Sequence, residues 1–136
     1  MARTMDVGSA IAGTIVGLTT TARETGAAKL KVIHRELVGT MPRAATQELR
    51  VLHATLEPGD TTPFHTHRFP VTVHILEGAF TLELEGREAV TLRAGETFVE
   101  PPHVRMTGSN RSATETNHLV IFYVSDPDTP FADPVD

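Results

Sequence analysis

His65 and His67 lie two residues apart in the segment Gly59–His67. In an extended chain, residues i and i+2 point to the same side, so both imidazoles reach one place. A pair of imidazole nitrogens suits a divalent cation, and Zn, Mn, Fe, Ni and Cu are not distinguished by these residues. The other reading is an interior polar pair bonded to water. The chain has no Cys. Thiolate nucleophiles, disulfides and Cys-based zinc sites are therefore excluded.

Several residues stand close enough in sequence to complete a site. His53 falls on the preceding strand, and alternation leaves open which way it faces. Phe64 and Val71 flank the His pair and, with Met106 further along, are candidate pocket residues. Phe69, Phe80 and Phe98 are read as core or lining. Arg68 and Arg105 are candidate anion contacts, with solvated loop positions as the alternative. His74 is expected to face outward and His103 to sit in an exposed turn after Pro101-Pro102. Asn110-Arg111-Ser112 fits a glycosylation sequon.

The elements that must position these residues are strands. Lys29–Val38 reads as a first, poorly alternating strand. In Gln47–Leu56, Leu52, Ala54 and Leu56 alternate with Val51, His53 and Thr55, and Pro58-Gly59 stops the run. A short extended piece, Thr61–His67, leads into the β-branched run Val71–Glu77. Phe80, Leu82 and Leu84 alternate with Thr81, Glu83 and Glu85, which marks one buried and one wet face. Ala89–Leu92 and Thr97–Val99 follow. Leu119–Val124 is continuous enough to predict burial on both faces. Short strands about ten residues apart, joined by Gly and Pro turns, predict an all-β sandwich or barrel.

The chain of 136 residues fits one domain. Its sequence divides into an N-terminal arm (1–28), a barrel (29–125) and a Pro-interrupted, irregular C-terminal tail (126–136). The first residues loosely follow the basic, apolar, small-residue order of a secretory signal, while Asp6 and several glycines run against it. The compartment stays open between cytoplasmic and exported. No apolar run is long enough to span a bilayer. Net charge is −5 and no stretch gathers Lys or Arg, so nucleic acid is not an expected partner.

Gly59, His65, His67 and Gly78 fall at the spacing of the first signature motif of the cupin family, which the chain resembles over about residues 47–124. Gly95, Pro101 and Asn110 are in register with the second motif. The resemblance implies a double-stranded β-helix, or jelly-roll barrel, that forms a homodimer. It also implies His65 and His67 as metal ligands. Val71 stands where the family has a Glu ligand, Met106 where it has a His ligand, and His103 where the motif has Gly. Two of the four usual ligands are thus replaced. The expected function is a barrel that binds a divalent metal and a small molecule, with dioxygenase- or isomerase-like activity as the enzymatic form. The alternative is a non-catalytic, metal-free small-molecule binder, favoured by Val71 and Met106 as lining of a dry cavity.

Overall fold

The computed structural model describes residues 26–136. The chain forms two units, Met1–Arg35 and Glu36–Asp136. The signal-like reading of the first residues lies outside the described part. In the first unit, residues 26–35 are exposed and carry no strand. The strand expected over 29–38 does not form within the chain. Leu30 and Val32 fall on one side of an extended backbone and Ile33 and Leu37 on the other, so neither side offers a continuous apolar row.

The second unit is built from nine strands: β1 (Glu48–Leu56), β2 (His65–Thr66), β3 (Val71–Glu77), β4 (Ala79–Leu84), β5 (Val90–Arg93), β6 (Thr97–Glu100), β7 (Met106–Ser109), β8 (Asn117–Ser125) and β9 (Asp133–Pro134). They pair antiparallel in two sheets, β1-β8-β3-β6 and β5-β4-β7-β2-β9. Apart from the β4–β5 hairpin, the chain crosses to the other sheet at every connection, which is the jelly-roll arrangement. Among the described residues no helix is long and apolar enough to cross a membrane.

Alternation decides which side chains fill the barrel. Val71, Val73 and Ile75 on β3 are fully buried, while Thr72 and His74 between them face outward. Phe80, Leu82 and Leu84 close the core from the opposite sheet, and Leu56, Leu92, Met106, Leu119 and Tyr123 complete it. Each aliphatic or aromatic side chain so enclosed contributes about 1.5–3 kcal/mol. β8 departs from its expectation. Leu119 and Tyr123 are buried, but Phe122 is exposed and Val120 and Val124 are half-buried, because among the described residues no layer covers the outside of this sheet.

Turn chemistry fixes the crossings. Gly78 has φ 78°, and a Cβ there would lie 2.5 Å from the Thr116 carbonyl oxygen. Only glycine fits. β7 was not foreseen: Met106–Ser109 has no alternation, and Gly108 lies there because a side chain would run into the Phe80 ring. The tail is not wholly irregular. Thr66 pairs with Asp133 and His65 with Pro134, whose missing N–H is tolerated on an edge strand.

Candidate functional site

The two signature segments meet in space. The Gly59 N–H donates to the Asn110 carbonyl at 2.9 Å, and the Asn110 N–H donates to that of Asp60 at 2.9 Å. The Asn110 side chain is buried and donates to the carbonyls of Leu56 and Glu115, so it braces this crossing and is no glycosylation acceptor. The segment between Gly59 and β2 is therefore held at both ends. It delivers His65 within β2 and His67 immediately after it.

The rings of His65 and His67 lie 4.8 Å apart at 77°. His65 Nδ1 lies 2.7 Å from the Pro63 carbonyl oxygen and His67 Nδ1 lies 2.7 Å from that of Phe131. A carbonyl only accepts, so each Nδ1 carries the proton and each Nε2 is left for another partner. His67 is 1% exposed, and its Nε2 lies 3.3 Å from Oε1 of Glu100, itself 5% exposed.

Glu100 is the residue that reading the sequence missed. It ends β6 directly across from Val71. The carboxylate absent from position 71 thus enters the same space from the neighbouring strand. The sequence signal existed: Phe98 faces inward, and alternation carried one residue past Val99 puts Glu100 on the same side. The expected strand end at Val99, before Pro101-Pro102, concealed it.

These groups open onto a cavity of about 250 Å³ lined by Ala54, Leu56, Val73, Phe80, Leu82 and Ile121. Val71 lines it, and Phe131, Ala132 and Pro134 of the tail supply one wall. Three candidates fall elsewhere. His53 lies on the outer, exposed side of β1, 5.2 Å from the His118 ring, because the inward positions are those of Ala54 and Leu56. Phe64 is 42% exposed and stacks under the Arg105 guanidinium at 4.6 Å. Met106 is fully buried but packs in the core beside Leu84 and His65 rather than lining the cavity.

The flanking charges are structural. Arg68 makes two hydrogen bonds to Asp133, at 2.9 and 3.0 Å. These bonds raise the Arg68 pKa and hold the Asp133 carboxyl below its ordinary value. Arg105 donates to the Asp136 carbonyl. His74 faces outward and bonds Thr97, as expected. His103 is exposed with φ 63°, a backbone shape suited to the glycine of the motif. Tyr123 is enclosed between the rings of His67 and Phe131. Its hydroxyl has no well-formed hydrogen bond, and burial pushes its pKa up, an effect partly offset by the Phe69 and Arg68 backbone.

As a donor set for a cation, His65 Nε2, His67 Nε2 and the Glu100 carboxylate have the right chemistry. Their arrangement is not that of a formed site. Among the described residues, no three His, Asp or Glu side chains converge as metal ligands would.

No curated protein matches the chain. Among solved structures it is similar to a cupin-like protein from Thermotoga maritima, with TM-score 0.57, 20% identity and 64% of each chain covered. An RmlC-like cupin from Shewanella frigidimarina matches with TM-score 0.51 and 23% identity over 60% of this chain and 69% of that one. The DMSP lyase DddQ from Ruegeria pomeroyi matches with TM-score 0.54 and 20% identity over 60% of this chain, which spans only 41% of the lyase. These likenesses concern the fold. A family model described as a cupin domain matches residues 52–122, over half of the chain, and this protein belongs to that family.

Proposed function

We propose that the barrel binds a small, mainly apolar molecule whose one polar group is received by His67 and Glu100. The observation that carries this reading is the cavity: apolar around most of its wall, with a buried His–Glu pair, 3.3 Å apart, at one place. Such a pocket takes its affinity from apolar burial and its orientation from a few polar groups. With His67 Nδ1–H on the Phe131 carbonyl, His67 Nε2 faces Glu100 Oε1 at 3.3 Å. A ligand group inserted between them meets a ring nitrogen and a carboxylate, two groups able to take or give a proton. The pocket is thereby equipped for general acid–base chemistry as well as binding.

A second reading includes a divalent cation, and a separate observation favours it. Both imidazoles donate Nδ1–H to backbone carbonyls, the support that orients metal-binding histidines. His65, His67 and Glu100 would hold the ion once Glu100 turned from His67. A bound cation supplies Lewis acidity and open coordination positions for a ligand. The homodimer implied by the family resemblance belongs to the same proposal. Its support is the apolar outer row Leu49, Val51 and Phe122 on β1 and β8, not β3, whose apolar side faces the core.

The experiment is thermal unfolding with a panel of small alcohols, ketones and carboxylates, and separately with Zn²⁺, Mn²⁺, Fe²⁺, Ni²⁺ and Cu²⁺. Wild type is compared with a His65→Ala/His67→Ala variant and with Glu100→Gln. A ligand at a hundred times its Kd raises the midpoint by about 10 °C or more. The binding reading is overturned if no compound shifts the wild type. The cation reading is overturned if metals shift wild type and double variant equally, or shift neither.

A further inference from the structure

We propose that the polar group received in the barrel is a primary ammonium, so that the ligand class is a small apolar amine. This rests on the binding reading above and names the chemistry of the guest. The starting point is Glu100, which is 5% exposed and lines the cavity. Among the described residues, no N–H or O–H group of the chain makes a hydrogen bond to its carboxylate. Its close polar neighbour is His67 Nε2 at 3.3 Å, on a ring whose hydrogen is fixed at Nδ1 by the Phe131 carbonyl. One ring nitrogen serves one oxygen at most, whereas a carboxylate accepts at both. A carboxylate enclosed in this way is costly unless a donor or a positive charge meets it.

Among the described residues, the nearby cations are committed elsewhere. Arg50, Tyr123, Val71 and Glu100 form one row across β1, β8, β3 and β6. Arg50 therefore stands three strands from Glu100, about 14 Å away. It donates to Ser125 Oγ and to the Thr129 carbonyl, and its guanidinium lies over the Tyr123 ring. Arg68 is held by Asp133, and Arg105 by the Asp136 carbonyl. The charge that meets Glu100 is thus assigned to the guest.

The neighbouring groups suit an ammonium. His65 and His67 both donate Nδ1–H to backbone carbonyls, so each Nε2 is an acceptor. Thr62, the remaining polar side chain of the lining, turns its hydroxyl to the Gly108 N–H and to Thr107 Oγ1. An ammonium brings three donors, no acceptor and a positive charge. An alcohol brings one hydrogen and no charge, a ketone brings none, and a carboxylate adds a like charge beside Glu100. Two acceptors bonded to one nitrogen stand about 4–5 Å apart. A turn of the Glu100 side chain opens the present 3.3 Å to that spacing.

The wall sets the rest of the molecule. An apolar cavity of about 150 Å³ takes benzene, so one of about 250 Å³ takes roughly ten non-hydrogen atoms. Leu56, Val73, Leu82 and Ile121 line it without a polar group, so a second charge, as in a diamine, would be buried unpaired. The guest is a monoamine with a compact hydrocarbon or aromatic body.

The test is calorimetric titration of the full chain near pH 7, where an alkylamine is protonated. Phenethylamine, phenethyl alcohol and phenylacetate are nearly equal in size and differ in the polar group. The amine is expected to bind at least about tenfold tighter than the alcohol, and phenylacetate more weakly than either. Glu100→Gln keeps the side-chain volume and removes the charge. It is expected to bring the amine down to the affinity of the alcohol and to leave the alcohol nearly unchanged. If that variant fails to fold, the carbon-13 resonance of the Glu100 carboxyl in the wild type takes its place, and is expected to move with the amine and not with the alcohol. If the alcohol binds and the amine binds no tighter, the inference falls and the binding reading stands. If none of the compounds binds at millimolar concentration, nor any of the neutral panel above, both fall. An amine preference that survives Glu100→Gln, or that leaves the Glu100 carboxyl resonance unmoved, overturns the inference as well.

Discussion

Replacing Glu100 by Ala strips His67 of the partner that its Nε2 faces inside the barrel. Both side chains are almost fully enclosed, at 1% and 7% side-chain exposure. Breaking a buried pair by removing one member costs about 3–5 kcal/mol, because the other is left desolvated and alone. Here the cavity borders the vacated position and can admit water to Nε2, which places the cost at the lower end, about 3 kcal/mol. For a barrel of this size that lowers the thermal midpoint by roughly 10–25 °C. Glu100→Gln keeps the side-chain volume and offers His67 Nε2 an amide N–H, so its cost is about 1 kcal/mol. The assay is urea unfolding followed by circular dichroism on wild type, Glu100→Ala, Glu100→Gln, His67→Ala and the double alanine variant. The two alanine losses are expected to fall short of additive, with a coupling energy of at least about 1.5 kcal/mol. A coupling near zero, or a Glu100→Ala loss under about 1 kcal/mol, would refute the reasoning that the pair is a buried, mutually dependent unit.

Asp133→Asn removes the carboxylate that Arg68 holds. The folded pKa of Asp133 is depressed, so the pair's contribution to stability is complete above the ordinary carboxylate value of about 4 and is lost as pH falls through the folded value. Urea midpoints of wild type and variant should therefore differ at pH 7 and converge toward pH 3. His103→Gly relieves a left-handed backbone that an ordinary side chain disfavours, at an exposed position. It should raise stability by about 0.5–1 kcal/mol, read by the same unfolding assay.

Much of the barrel was legible because its strands obey a period of two. Val71, Val73 and Ile75, and likewise Phe80, Leu82 and Leu84, announce both a strand and its inner face. His65 and His67 were legible together for the same reason. β8 was misjudged, since an unbroken apolar run reports hydrophobicity but not whether a second layer exists to cover it. β7 carries Thr, Gly and Ser, and its place is dictated by Phe80 packing over Gly108, a contact between residues distant in sequence. The hydrogen bond from His67 to the Phe131 carbonyl joins residues 64 apart and involves a backbone atom, which has no sequence signature. His53 and Phe64 were candidates by proximity alone, and proximity along a strand says nothing about side.

The tail wall has a kinetic consequence. Phe131, Ala132 and Pro134 are held against the cavity by a two-residue strand, by the half-exposed Arg68–Asp133 pair and by the Val135 N–H on the Phe64 carbonyl. Beyond these, only the Phe131 ring on the core and its carbonyl on His67 Nδ1 anchor the segment, so it is expected to open at a lower free energy than unfolds the barrel. Each opening uncovers the cavity and also removes the acceptor that fixes the His67 ring, so entry of a guest and loss of ring orientation occur in the same event. A ligand bound as proposed would therefore exchange without unfolding of the barrel. The rate of that exchange is governed by how long four residues stay docked rather than by the stability of the sheets behind them.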